Sequence, residues 1–263
     1  MQKDTCLYAK AKDALYKQLA LDYCVGYEDV ADRENHFTVF TPLPGRRRFR
    51  TSDDCGLKVA AVNGKLLFTG TEEIMACCRE RYATTSGDWF MDVERFRELE
   101  EIVRPHGFKL GSAHPFYLPA ERPEETEEAA VAETATPSGI SIVKYDRGSI
   151  EQFRDDKRFQ NAYSFEETAP DMLGVGAVAN GKILGMAGAS ADSETLWQIG
   201  IDVDREARGK HLGALLVRIL KEDILRAGHM PFYGTSMSNI GSQRVAHHAG
   251  FIAAWAELGS SRI

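Results

Sequence analysis

Residues 196–227 constrain the fold more than any other stretch of the chain. Leu196 to Val203 is rich in β-formers and reads as a strand, with Trp197 as a core residue. Arg205 to Ala227 carries Leu212, Leu215, Leu216, Ile219 and Leu220 on or near one helical face, and Gly228 follows as the residue that ends a helix. The turn between them is Arg208-Gly209-Lys210-His211-Leu212-Gly213-Ala214. The first amides of a helix have no partners within it, and the helix dipole favours negative charge there. Glycine lets a bulky phosphate approach the backbone, and Arg208 and Lys210 add positive charge. A strand feeding a helix through such a turn predicts an anion site at the helix start.

The surrounding segments fit one order. Leu173 to Val178, the pair Asn180-Gly181, and Ile183 to Ala189 read as a hairpin with a type I′ turn. Phe232 to Met237 is a short strand. Ser238 or Asn239 then caps a helix that ends before Gly250, and Phe251 to Leu258 closes the series. The order β-β-β-α-β-α-β predicts an α/β (α+β) fold, a mixed central sheet flanked by helices.

The first part is a smaller α+β domain by the same reasoning. Leu7, Ala11, Leu15 and Leu19 share one helical face. Strands are expected over Phe37 to Thr41, Leu57 to Val62 and Leu66 to Thr69, with Asn63-Gly64 turning the last two. Glu72 to Arg81 and Val93 to Val103 read as helices. Arg46-Arg47-Arg48-Phe49-Arg50 reads first as a solvated loop, with a phosphate or acidic-partner site as the alternative. Between the halves, Glu121-Arg122-Pro123-Glu124-Glu125-Thr126-Glu127-Glu128 and the Ala-, Thr- and Pro-rich residues after it have no apolar periodicity. The expected division is therefore 1–118, a linker or long loop over 119–139, and 140–263. The hairpins at Asn63-Gly64 and Asn180-Gly181, and the Gly107-Phe108 and Gly250-Phe251 pairs, echo each other. Chance explains such common turns more simply than a decayed tandem copy does.

Composition narrows the class. A net charge of -7 argues against broad nucleic-acid binding without excluding a local basic pocket. No apolar run reaches the roughly 20 residues that span a bilayer. Five cysteines, all in the first third and without a Cys-x-x-Cys motif or a secretory leader, suggest reduced thiols in a cytoplasmic protein. Cys77-Cys78 reads as two small apolar residues on a helix rather than a redox pair. No metal site is expected, since His247 and His248 are adjacent on a helix and point about 100° apart.

At this point Ile140 to Leu258 resembles the GCN5-related N-acetyltransferase (GNAT) superfamily, and within it a two-domain bacterial subgroup. The family pattern Arg/Gln-x-x-Gly-x-Gly/Ala falls on Arg208, His211 and Gly213, with His211 where the first glycine usually stands. Asn-x-x-Ser/Ala before a helix ending in Gly-Phe falls on Asn239, Ser242, Gly250 and Phe251. Gln198 to Val203 resembles the strand facing the cosubstrate.

The resemblance implies transfer of an acetyl group from acetyl-CoA to an amine by direct attack in a ternary complex. It places the pyrophosphate against Arg208, Gly209, Lys210, His211, Leu212, Gly213 and Ala214. The peptide-like pantetheine arm pairs with the backbone of Ile201 and Val203, and Asn239 and Ser242 cap the next helix and contact the cosubstrate. Where many members carry a glutamate base this chain has Gln198, which can orient a water but cannot take a proton. Glu194 and Asp202 are the nearby carboxylates. The usual tyrosine acid falls on Ala246, leaving Tyr233, Ser242 and His247 as candidates. His211 either lends its ring to the pyrophosphate or serves through its amide alone.

The expectation is an N-acetyltransferase acting on a small-molecule amine, with no nucleic-acid or membrane partner and a homodimer left open. A non-catalytic acyl-CoA-binding protein and a protein or peptide N-acetyltransferase are the alternatives.

Overall fold

Both Asn-Gly pairs turn as their residue types dictate. Asn63 and Gly64 have φ of 52° and 77°, and Asn180 and Gly181 have 50° and 76°, the paired left-handed conformations of a type I′ turn. They join antiparallel strands β2 (Leu57–Val62) to β3 (Lys65–Gly70) and β6 (Asp171–Ala179) to β7 (Lys182–Ser190). The computed structural model describes residues 6–50, 54–121 and 136–263. Most of the expected 119–139 linker lies outside the described residues.

The chain divides into two compact units. One comprises Met1–Lys12, Tyr117–Gly234 and Asn239–Ile252, the other Asp13–Phe116, Thr235–Ser238 and Ala253–Ile263.

In the first unit, β5 (Ser141–Asp146), β6, β7 and β8 (Leu196–Val203) pair antiparallel in that order, and β9 (Met230–Gly234) runs parallel beside β8. The long helix spans Leu212–Arg226, seven residues later than the predicted start. The reason is local: Arg205–Ala207 forms one short 3-10 turn, and left-handed Gly209 (φ 75°) and His211 (φ 55°) then interrupt the helix. Its leucines 212, 215, 216 and 220 pack with Ile199, Ala187, Ala189 and Trp197 on one face of the sheet. A shorter helix, Ile240–His248, follows β9; Asn239 caps it by accepting from the Ser242 N–H at 3.1 Å.

The opposite face of this sheet is shaped by what is missing. Gly174, Gly188 and Gly200 are successive register partners across β6, β7 and β8. A Cβ on Gly200 would overlap the carbonyl oxygen of Asn161, one on Gly188 that of Ala162, and one on Gly174 the Tyr163 hydroxyl. The three glycines form a trough, and segment 161–163 lies in it. Tyr163 and Met186 join Ile150, Phe153 and Phe159 in a cluster on this side.

The second unit holds the β2–β3 hairpin with β1 (His36–Val39) parallel to β3, and residues 255–259 antiparallel to β2. Its core gathers Leu57, Val59 and Phe68 with residues of helices Glu72–Tyr82 and Val93–Val103. Phe68 stacks on Phe37 at 4.7 Å and meets Phe90 edge-on at 5.6 Å. Here the expectation of a solvated arginine loop is overturned. Arg46 is 4% exposed, with its guanidinium 4.0 Å above the Phe40 ring. Arg47 is ion-paired to both Asp22 and Glu257, and all three side chains are largely buried. Two distant carboxylates and an aromatic ring drew these arginines inside. All five cysteines are unbridged; Cys77 is exposed and Cys78 buried.

Candidate functional site

The site begins where two parallel strands part. β8 and β9 are in register from Leu196–Met230 to Ile199–Tyr233, and there the pairing ends, although β8 runs on to Val203. Strand alternation decides which backbone groups this exposes. The Asp204 N–H donates to the Leu184 carbonyl at 2.8 Å, so even-numbered residues of β8 bond toward β7. The N–H and C=O groups of Ile201 and Val203 therefore point to the side β9 has left. The Val203 carbonyl accepts from Arg208 Nε at 3.2 Å, leaving both polar groups of Ile201 and the Val203 N–H on the open edge.

The opened edge leads to a helix N-terminus. His211 is the cap residue of Leu212–Arg226, without a side-chain capping bond, and its carbonyl receives the Leu215 N–H at 3.1 Å. The amides of Leu212, Gly213 and Ala214 form the helix's first turn, where no intrahelical acceptor exists. Arg208, Gly209, Lys210 and His211 are exposed around them. The φ of 55° at His211 is the conformation glycine adopts freely, which is the physical sense of a glycine at this position in the resembled pattern. The His211 ring meets His248 edge-on at 5.6 Å.

Gly213 has a packing role. It is buried, and an added Cβ would lie 3.3 Å from Val245 Cγ2 and 3.4 Å from Val203 Cγ2. Its missing side chain lets the two helices and β8 close together.

The acid–base candidates separate. Gln198, half-buried, stands in register between Ser190 and Phe232, on the trough side of the sheet. Asp202 also faces the trough, where its carboxylate accepts from the N–H groups of Asn161 (2.9 Å) and Ala162 (3.0 Å) and from Asn161 Nδ2 (2.6 Å). Three donors on one carboxylate make it a clasp for the segment. Glu194 is exposed in the loop entering β8, at the end of the strand away from the helix turn, and its carbonyl is 3.0 Å from His229 Nδ1. Tyr233 packs on the helix-bearing face with Ile199 and Phe251. Its hydroxyl is 2.8 Å from Ser242 Oγ, and burial pushes the phenol up to about 12. The Asp202 clasp, the glycine trough and the Tyr233–Ser242 bond were all missed by sequence reasoning, because each depends on strand register.

In the second unit, Asp29, Asp32 and His36 place three potential ligand atoms within 4.8 Å of one another. The buried Lys65 ammonium already supplies the cation: it bonds the Asp29 carbonyl and, at 2.6 Å, Asp32 Oδ1. With burial opposing and the Lys65 bond outweighing it, the Asp32 carboxyl is lowered to about 2.

The first unit thus pairs a mixed sheet that has one splayed parallel edge with a helix start whose first amides have no intrahelical acceptor. Residues 140–251 match the family described as Acetyltransferase (GNAT) family. Among solved structures, the chain is similar to a GCN5-related N-acetyltransferase-like protein from Streptococcus suis at 15% identity and TM-score 0.46, over 65% of this chain and 68% of that one. A putative GNAT-family acetyltransferase from Novosphingobium aromaticivorans gives 17%, 0.39, and 59% and 66% coverage. A tandem GNAT protein from the clavulanic acid biosynthesis pathway gives 18%, 0.45, and 62% and 57%. The chain thus spans about two thirds or less of these proteins' lengths. No curated protein matches the chain. Among the described residues, no helix is long and apolar enough to cross a membrane.

Proposed function

We propose that this protein moves an acetyl group from acetyl-CoA to the primary amine of a small molecule, by direct attack of the amine on the thioester. The single observation that carries this reading is the edge of β8 that β9 leaves open at Ile201 and the Val203 N–H, followed in the chain by the helix-start amides of Leu212 to Ala214. The edge offers a ladder to a peptide-like arm, and the amides, with Arg208 and Lys210, offer a seat for a pyrophosphate. Acetyl-CoA supplies an acyl group activated as a thioester. The chain supplies alignment and backbone N–H groups for the oxygen that gains charge during attack. Gln198 orients a water that carries the amine's proton away, since an amide cannot hold that proton.

A second reading, acyl-CoA binding without turnover, is favoured by two observations. Gln198 stands where a carboxylate would serve, and Asp202 is committed to the 161–162 backbone. A protein or peptide acceptor remains a variant of the first reading. Calorimetric titration with acetyl-CoA, followed by thiol release across a panel of primary amines, tests all three. Saturable binding with amine-dependent thiol release supports the enzyme; binding without release across both amines and labelled proteome supports the second reading. No binding at millimolar acetyl-CoA sinks the proposal.

A further inference from the structure

One face of the sheet in the second unit carries polar groups that its own side chains leave unmet. Thr38, Thr69, Lys58 and Gly259 are successive register partners across β1, β3, β2 and the strand holding residues 255–259, so their side-chain positions share that face. The Thr38 hydroxyl is satisfied, 2.5 Å from the Tyr23 carbonyl oxygen and 3.1 Å from that of Phe68. Those of Thr69 and Tyr23 are not. Both residues are 0% exposed, and neither hydroxyl has a hydrogen-bond partner among the described residues. A buried hydroxyl without a partner is costly and rare in a folded protein, so two in one place point to a group the chain does not supply.

Lys58 is the third such group. Half-buried, its ammonium lies 5.7 Å from the centre of the Tyr23 ring and makes no hydrogen bond or ion pair among the described residues. Opposite it, Gly259 leaves room: a Cβ there would have only the Leu57 carbonyl oxygen, at 4.0 Å, as a neighbour. An ammonium and two hydroxyls are the donors a carboxylate accepts from.

The surrounding charges decide the rest of the ligand. Arg47 is paired with Asp22 and with one oxygen of Glu257, which leaves Glu257 a second oxygen to offer. Burial would raise the Asp22 carboxyl, and the Arg47 and Lys58 charges together outweigh it. Burial and then the Glu257 charge push the Tyr23 phenol up, so its hydroxyl keeps its proton and donates. Asp22 and Glu257 balance Arg47 and Lys58. A net anion would upset that balance, whereas a zwitterion preserves it.

From these groups we infer that the second unit binds a small zwitterionic α-amino acid. Its carboxylate accepts from Lys58 Nζ and from the Tyr23 and Thr69 hydroxyls, and its ammonium faces Glu257. No covalent step is involved, and the site stands whether or not the acyl-CoA reading does.

The test uses the full chain without acetyl-CoA. Each common L-α-amino acid is titrated at millimolar concentration by calorimetry, and melting temperatures are recorded with and without it. At least one should bind saturably and raise the melting temperature. Its decarboxylated amine and its N-acetyl derivative should each bind about tenfold more weakly, as should the amino acid itself to Lys58→Met. Tyr23→Phe separates ligand from packing. Without ligand it should be as stable as the wild type or more so, because an unmet hydroxyl is gone, yet it should bind about threefold more weakly. Thr69→Val should behave alike. Binding of no amino acid overturns the proposal, as does equal binding of the N-acetyl derivative or unchanged affinity in Lys58→Met and Tyr23→Phe. A ligand-free Tyr23→Phe less stable than the wild type would show a hydroxyl already satisfied by water, and would overturn it too.

Discussion

The carboxylate of Asp202 holds the backbone of Asn161, accepting its N–H at 2.9 Å and its side-chain amide at 2.6 Å. An ionised carboxylate can accept all of these bonds at once, whereas an asparagine in its place offers one oxygen and adds two donors. Asp202→Asn should therefore cost about 0.5–1.5 kcal/mol, the net worth of a hydrogen bond, since two of the three donors belong to the exposed Asn161. For a chain of this size that is a Tm lower by roughly 2–4 °C for each kcal/mol. If Asp202 were instead the catalytic base, the acid limb of the pH–rate profile would disappear in this variant. We expect the limb to remain and the melting temperature to fall; scanning calorimetry and a pH series of thiol release check the two halves.

The same segment should respond to a single methyl group on the strand beneath it. At Gly200 an added Cβ would run into the Asn161 carbonyl, which is backbone and cannot swing aside. Gly200→Ala should cost about 1–3 kcal/mol through overpacking. It should also raise hydrogen exchange at residues 161–163, by lifting the segment from its clasp. Gly209→Ala is the control, since nothing lies within 4 Å of its Cβ position and only the φ of 75° opposes it. Equal exchange in wild type and Gly200→Ala would show that the segment does not rest on this glycine.

Local signals were legible in the sequence and long-range ones were not. The Asn-Gly hairpins and the Asn239 cap are decided within four residues, so composition and spacing suffice. The late start of the Leu212–Arg226 helix was hidden because His211 takes a left-handed φ that its residue type does not advertise. The burial of Arg47 was hidden more deeply: Asp22 lies 25 residues before it and Glu257 lies 210 after it. The glycine trough needed the register of three strands. The residues of the resembled motif were readable as a pattern, whereas what Gly213, Asp202 and Tyr233 touch emerged only from the structure.

His211 separates ring from backbone in a single substitution. His211→Gly keeps the amide and removes both the imidazole and the cost, about 1–2 kcal/mol, of holding a side chain in the left-handed region. Part of that gain is offset by the greater freedom of glycine in the unfolded chain, about 0.5–1 kcal/mol. The expected outcome is a protein as stable as the wild type or slightly more so, with acetyl-CoA affinity within twofold. An affinity tenfold weaker in calorimetric titration would assign the contact to the ring.

Arg47 gives the clearest pH signature. Burial alone would raise the Asp22 carboxyl, but the Arg47 and Lys58 charges outweigh it, and the net direction is downward. A carboxyl lowered on folding contributes stability that is complete above its unfolded value, about 3.9, and is lost as pH falls through the folded value. The wild type should therefore hold its stability from pH 7 to about 5 with respect to this group and lose it at lower pH. Replacing Arg47 by methionine leaves Asp22 and Glu257 buried without their cation, at a cost of about 3–5 kcal/mol at pH 7. With the Arg47 charge gone, burial of the Asp22 carboxylate is less opposed, so Asp22 is more readily protonated in the folded variant than in the wild type. The deficit of Arg47→Met relative to wild type should shrink as pH is lowered from 7 to 4.5. Urea midpoints at the two pH values measure it, and a deficit that is unchanged or larger at pH 4.5 would show that the arginine does not neutralise these two carboxylates.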